Sequence, residues 1–121
     1  MSECSILVVE DDDAIRQQVV RSLRQDGYEV FEASTGHETI RILEREPICL
    51  ILTDRKMPWM DGDWLLAYVR TNYPKIPVAF LTGVSEGLDE LNPDAILMKP
   101  FKRRDLSRLV KSLLKQQDEP A

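Results

Sequence analysis

The sequence predicts an α/β domain: a parallel sheet covered by helices on both faces. Three observations predict it. Five short, largely apolar runs recur along 121 residues, the pattern of strands buried on both sides. Segments with apolar residues at helical spacing stand between them. The two kinds alternate strictly, which in one chain gives parallel strands joined by helical crossovers.

Each element follows in order. Ser5 to Val9 is the first strand and ends abruptly in Glu10-Asp11-Asp12-Asp13. One of Asp11 to Asp13 caps the next helix, in which Ile15, Val19, Val20 and Leu23 share a face and Gly27 closes the end. Tyr28 to Ala33 reads as the second strand. Ser34-Thr35-Gly36 opens a helix carrying Ile40 and Leu43, and Pro47 follows it. Ile48 to Thr53 is the third strand, and 54–62 is a loop rich in turn formers. Asp63 to Asn72 is a helix with Trp64, Leu65, Tyr68 and Val69 on one side. Val78 to Leu81 is the fourth strand, followed by Thr82. Ser85 to Leu91 has room only for a short helix before Pro93. Ala95 to Met98 is the fifth strand. Lys102 to Lys115 is the last helix, with Leu106, Leu109, Val110, Leu113 and Leu114 facing the sheet. Residues 1–121 read as one domain, with 116–121 as a frayed tail or the start of a linker.

Composition narrows the function. The net charge of −5 argues against nonspecific nucleic-acid or anionic-membrane binding. The longest apolar run, Ile48 to Leu52, is far too short to span a bilayer, and no basic-then-apolar leader is present. The protein therefore reads as cytoplasmic. Cys4 and Cys49, both in strand-like runs, read as reduced buried thiols. One His and two Cys disfavour self-contained zinc sites and His-based triads.

In open α/β sheets the site lies beyond the carboxyl ends of the strands. The first strand delivers Glu10 and Asp11 there, the third Asp54, the fourth Thr82 and the fifth Lys99. Three converging carboxylates repel one another unless a cation joins them. Oxygen ligands with open water positions suit Mg²⁺. A carboxylate nucleophile, a divalent metal and an ammonium group are the parts needed to move a phosphoryl group onto Asp54. Asp12 and Asp13 read instead as helix caps.

The chain resembles the receiver domain of two-component response regulators from Ile6 to about Leu114. The resemblance rests on Ile6-Leu7-Val8-Val9-Glu10-Asp11-Asp12, on 52–62 (Leu-Thr-Asp-Arg-Lys-Met-Pro-Trp-Met-Asp-Gly), on Leu81-Thr82-Gly83 and on Met98-Lys99-Pro100-Phe101. It implies a five-stranded, flavodoxin-like sandwich with strand order 2-1-3-4-5. It implies Asp54 as phosphoacceptor, with Asp11, Glu10 and the backbone carbonyl of Lys56 joining it around Mg²⁺. Thr82 and Lys99 would bind the phosphoryl group, and the Lys99–Pro100 bond would be cis. The implied partners are a sensor histidine kinase or phosphotransfer protein, and an output domain or downstream protein. A homodimer stays open.

The chain departs from the family pattern in three places. Ile96 occupies the switch position, three before the lysine, where an aromatic residue is frequent. Thr82 and Lys99 are 17 positions apart, fewer than usual, so the helix between strands four and five should be short or distorted. That shortening either alters the partner surface or is harmless. Gly83 stands where Ala is frequent and predicts looser access to the acyl phosphate. Neither Lys56 nor Val84 can orient an attacking water, which predicts slow self-hydrolysis.

Other residues read more plainly. Trp64 is expected to pack on the sheet. Trp59 reads as a lid on the loop or a partner contact, and His37 as solvated. The basic face of the last helix (Lys102, Arg103, Arg104, Arg108, Lys111, Lys115) reads as a solvated face open to an acidic partner. Two other functions compete with the phosphorylation switch. A Mg²⁺-dependent phosphatase with an Asp nucleophile is disfavoured, because Lys56 stands where its second Asp would be. The alternative is a non-phosphorylated interaction module on the same fold.

Overall fold

A computed structural model of the chain describes residues 4–58, 60–83, 87 and 91–118. The described residues form β1 (Ser5–Val9), α1 (Asp13–Gln25), β2 (Val30–Ala33), α2 (Gly36–Arg45), β3 (Ile48–Thr53), α3 (Gly62–Asn72), β4 (Val78–Thr82), β5 (Ala95–Met98) and α4 (Arg103–Asp118). The strands form one parallel sheet in the order β2-β1-β3-β4-β5. The expected strand order therefore holds.

The apolar runs hide a period of two, and this sorts the core into two layers. Ile6, Val8, Leu50, Leu52, Ala79 and Leu81 face α1 and α4, where Val19, Val20, Leu23, Leu106, Val110 and Leu113 meet them. Leu7, Val9, Ile51, Val78 and Phe80 point to the opposite face, against Leu43 of α2 and Leu65, Leu66 and Val69 of α3. A fully buried Leu, Ile, Val or Phe contributes about 1.5–3 kcal/mol, so this double layer is the main source of stability. β5 departs from that pattern. Ala95 and Leu97 pack on the α1/α4 layer, while Ile96 and Met98 lie exposed on the edge strand.

Helix ends follow local chemistry. Asp12 caps α1, its side chain accepting from Ile15 N at 3.0 Å. Thr35 caps α2, accepting from Glu38 N at 3.1 Å. Asp61 caps α3 by accepting from Asp63 N at 2.9 Å, so that helix begins at Gly62, one residue earlier than expected.

Several expectations need correction. Tyr28 does not begin β2: its N–H donates to Leu23 O at 3.1 Å and so finishes α1 instead, leaving the strand to start at Val30. The last helix begins at Arg103 and runs to Asp118, starting one residue later and ending three residues later than expected. Trp64 does not pack on the sheet. The inward stripe of α3 is Leu65, Leu66 and Val69, which turns Trp64 to the rim, 47% exposed. There it stacks on Tyr68 with ring centres 5.1 Å apart. Cys4 and Cys49 are not free thiols but a disulfide, with Cα atoms 5.4 Å apart. The register of β1 on β3, irregular between Ser5 and Ile6, sets the two cysteines side by side, and pairing register cannot be read from either strand alone.

The short helix expected over 85–91 falls almost wholly outside the described residues, as do Val84 and Trp59. Gly87 and Leu91 are described, and Leu91 N donates to Gly87 O at 3.3 Å. Among the described residues, no helix is long and apolar enough to cross a membrane.

Candidate functional site

Parallel pairing brings the carboxyl ends of β1, β3, β4 and β5 to one edge. Two main-chain bonds place the acids there. Glu10 N donates to Ala33 O at 3.1 Å, and Asp54 N donates to Val9 O at 3.0 Å. Glu10 ends up 4% exposed, unusually deep for a carboxylate. Its Oε2 accepts from Asp12 N at 3.2 Å. Arg16 reaches back from α1 to donate to the Glu10 carbonyl at 2.9 Å, while also pairing with Glu32 and Asp13.

Lys99 joins the strands. Its Nζ lies 2.8 Å from Glu10 Oε1 and 3.3 Å from Asp54 Oδ2. Its main-chain N–H donates to Thr82 O at 2.9 Å, and its bond to Pro100 is cis, as expected. Burial works against the Lys99 charge, but the hydrogen bond from Lys99 to Glu10 and the charge of Asp54 outweigh it, so its pKa rises. Burial raises the pKa of Glu10, aided by the nearby charge of Asp54 and only partly offset by Lys99 and the Asp12 N–H.

Oxygen atoms of Glu10, Asp11 and Asp54 lie within 4.8 Å of one another, close enough to share one cation. Three carboxylates and one ammonium leave the cluster with a formal charge of −2, and hard oxygen donors of this kind fit Mg²⁺. Thr82 is buried at the end of β4, beside this cluster. Lys56 is exposed in the loop two residues after Asp54. Ile96 does not join the cluster: it stands on β5, opposite Phe80 in register and 39% exposed. At Gly83 an added Cβ would meet nothing within 4 Å, so space alone does not demand glycine there.

Two residues at the site were not singled out by sequence. Arg55 N donates to Asp54 Oδ1 at 2.6 Å, while its side chain turns inward and is 6% exposed. Gly62 lies so close to this turn that an added Cβ would be 2.5 Å from Asp54 O and 2.8 Å from Arg55 Cα. Gly62 N also donates to Arg55 O at 2.8 Å. A charged residue two positions beyond the end of a buried strand was the available signal for Arg55. Its partner lies eight residues away across a loop, where neither a helix nor a strand links the two positions.

Comparison with known proteins gives a consistent result. The sequence model of the response regulator receiver domain matches residues 6–111. The sensor kinase CckA of Brucella abortus is 37% identical over 121 residues, covering 94% of this chain and 13% of that protein. The response regulator receiver protein CpdR of Brucella abortus is 35% identical over 116 residues, covering 90% of this chain and 95% of that one. The chain thus spans a small part of the first relative and nearly all of the second. The crystal structure of response regulator TrrA from Thermotoga maritima, in complex with Mg²⁺-BeF, superposes with a TM-score of 0.83 at 27% identity, covering 91% of this chain and 98% of that one.

Proposed function

The chain belongs to the response regulator receiver domain family, and from that premise we propose that Asp54 is the phosphoacceptor of a phosphorylation-controlled signalling switch. The observation that carries this reading is the double pairing of Lys99 with Glu10 and Asp54 inside a cluster of three carboxylates. Burial, like charges and one shared cation gathered in this way are the arrangement by which functional sites tune their ionisable groups.

The donor is a sensor histidine kinase, a phosphotransfer protein or a small acyl phosphate. A carboxylate oxygen of Asp54 attacks phosphorus. An O–P bond forms, and the bond from phosphorus to the donor's nitrogen or oxygen breaks, its electron pair leaving with the donor. Glu10, Asp11, Asp54 and the backbone carbonyl of Lys56 would hold Mg²⁺, which supplies positive charge against the carboxylates and the phosphoryl oxygens. Arg55 N–H, on Asp54 Oδ1, orients the nucleophile. Lys99 is poised to move its contact from Asp54 to a phosphoryl oxygen, and Thr82 to donate a hydroxyl hydrogen bond to another. This turnover concerns only the protein's own acyl phosphate.

Phosphorylation adds charge that Lys99 and Thr82 recognise, which biases a two-state equilibrium. Ile96 occupies the switch position, and its exposure on β5 leaves room for its rotamer to change. The surface formed by β5 and its neighbours would then meet an output domain, a downstream protein or a second copy. The reading places the protein in the cytoplasm, where the Cys4–Cys49 bond would be exposed to reducing thiols.

The test is intact mass after incubation with acetyl phosphate and Mg²⁺. One phosphate adduct is expected, absent from Asp54→Ala and absent in EDTA. A folded protein that gains no adduct would overturn the reading in favour of a constitutive binding module.

A further inference from the structure

Arg55 has more partners than orientation of Asp54 requires. Its Nε and Nη2 grip both carboxylate oxygens of Asp63, at 2.9 and 3.3 Å, in the first turn of α3. On another side the same Nη2 faces Gly87, where an added Cβ would lie 3.3 Å from it. Gly87 also has φ of +71°, so close approach and backbone conformation both favour glycine at this point of the β4–β5 connection. The main chain of Arg55 is held as firmly, through Asp54 Oδ1 and Gly62 N.

An ion pair with one partner buried is a poor device for stability alone, since its desolvation cost offsets much of its attraction. Here the pair instead fixes one residue between the phosphoacceptor, α3 and the connection to β5. The contact from Arg55 N to Asp54 Oδ1 is a short, charge-assisted bond. Phosphorylating one carboxylate oxygen makes an acyl phosphate, whose remaining carbonyl oxygen carries less negative charge, and this weakens that bond.

Resting on the phosphoacceptor reading, we propose that Arg55 is a positioning residue that couples the state of Asp54 to the β4–β5 connection at Gly87. Released from a fully charged carboxylate, the Arg55 backbone shifts. Its side chain, pivoting on Asp63, carries that shift to Gly87.

The experiment follows the Gly87 amide by NMR in the full chain, before and after acetyl phosphate with Mg²⁺, with intact mass recorded on the same samples. Two variants leave the reacting groups in place. Asp63→Asn keeps the side-chain volume but removes the charge that holds the fork. Arg55→Lys keeps a charge beside Asp63 but loses the fork and its reach. The wild type is expected to gain the adduct and to shift at Gly87. Asp63→Asn is expected to gain the adduct and Arg55→Lys to gain it more slowly, and in each, once phosphorylated, the Gly87 shift is expected to be reduced by about half or more. A purely structural role would lower thermal stability and leave that shift intact. A full-sized Gly87 shift in a phosphorylated variant, or none in the phosphorylated wild type, would overturn the proposal. Absence of any adduct in the wild type would instead remove the phosphoacceptor reading and the coupling with it. Should both variants unfold, the paired Arg55→Met, Asp63→Leu protein replaces the ion pair by apolar bulk and is read in the same way.

Discussion

At Glu10, burial and charge pull in opposite directions. The carboxylate is 4% exposed and shares its space with Asp54, and Lys99 compensates both with a single charge. Without a divalent cation the cluster therefore stores repulsion. Glu10→Gln is expected to raise the thermal midpoint in EDTA, because it removes one negative charge while Lys99 keeps Asp54. Added Mg²⁺ should raise the midpoint of the wild type and raise that of Asp11→Asn much less. Thermal unfolding with and without Mg²⁺ checks both, and a variant less stable than wild type in EDTA would refute the repulsion argument. Gly62 makes a second test at this scale. Its added Cβ would strike main-chain atoms of Asp54 and Arg55, which cannot rotate away. Gly62→Ala should cost about 1–3 kcal/mol, read from the urea midpoint, and should slow phosphorylation by displacing Asp54. The acids, Thr82 and Lys99 were legible in the sequence because strand ends announce themselves. Arg55 and Gly62 were not, because their roles depend on how the 54–62 turn folds back on α3.

At the scale of elements, the start of α2 is a small electrostatic device. Thr35 accepts from Glu38 N, and Glu38 Oε1 accepts from Ser34 N at 2.9 Å and from the Ser34 hydroxyl at 3.0 Å. The bond from the Ser34 N–H, then that from its hydroxyl, lowers the Glu38 pKa from its ordinary 4.5. A carboxylate with a depressed folded pKa contributes stability that is present above its unfolded pKa and is lost as pH falls through the folded value. Acid unfolding below about pH 4.5 should therefore include a contribution from α2 that Glu38→Gln removes, flattening that part of the curve. Thr35→Ala should cost about 1 kcal/mol at neutral pH, measured by urea denaturation. Helices were legible here because caps are local: Asp12, Thr35 and Asp61 each sit beside the N–H they satisfy. Boundaries moved where a neighbouring element claimed a residue, as α1 claimed Tyr28.

At the scale of the molecule, what sequence could not supply was register. Alternating strands and helices already implied a parallel sheet, and the motifs implied its order. Nothing in either strand said that Cys4 of the chain entering β1 would face Cys49 of β3. The resulting bond closes a loop with a sequence separation of 45 residues, for which the chain-entropy argument sets a stabilisation of about 4 kcal/mol. It lies at the start of β1 and β3, whereas Glu10 and Asp54 follow the far ends of the same two strands. Stability and chemistry are therefore separable. Reduction should lower the free energy of unfolding, read from urea denaturation, by an amount approaching that figure, yet leave the rate of Asp54 phosphorylation unchanged, because the strand ends stay in register through their own main-chain bonds. Intact mass under non-reducing conditions should first show the chain two hydrogens lighter than its dithiol form. If reduction slowed phosphorylation in a protein still folded, the bond would be holding the β1/β3 register itself, and the two ends of the sheet would act as one unit.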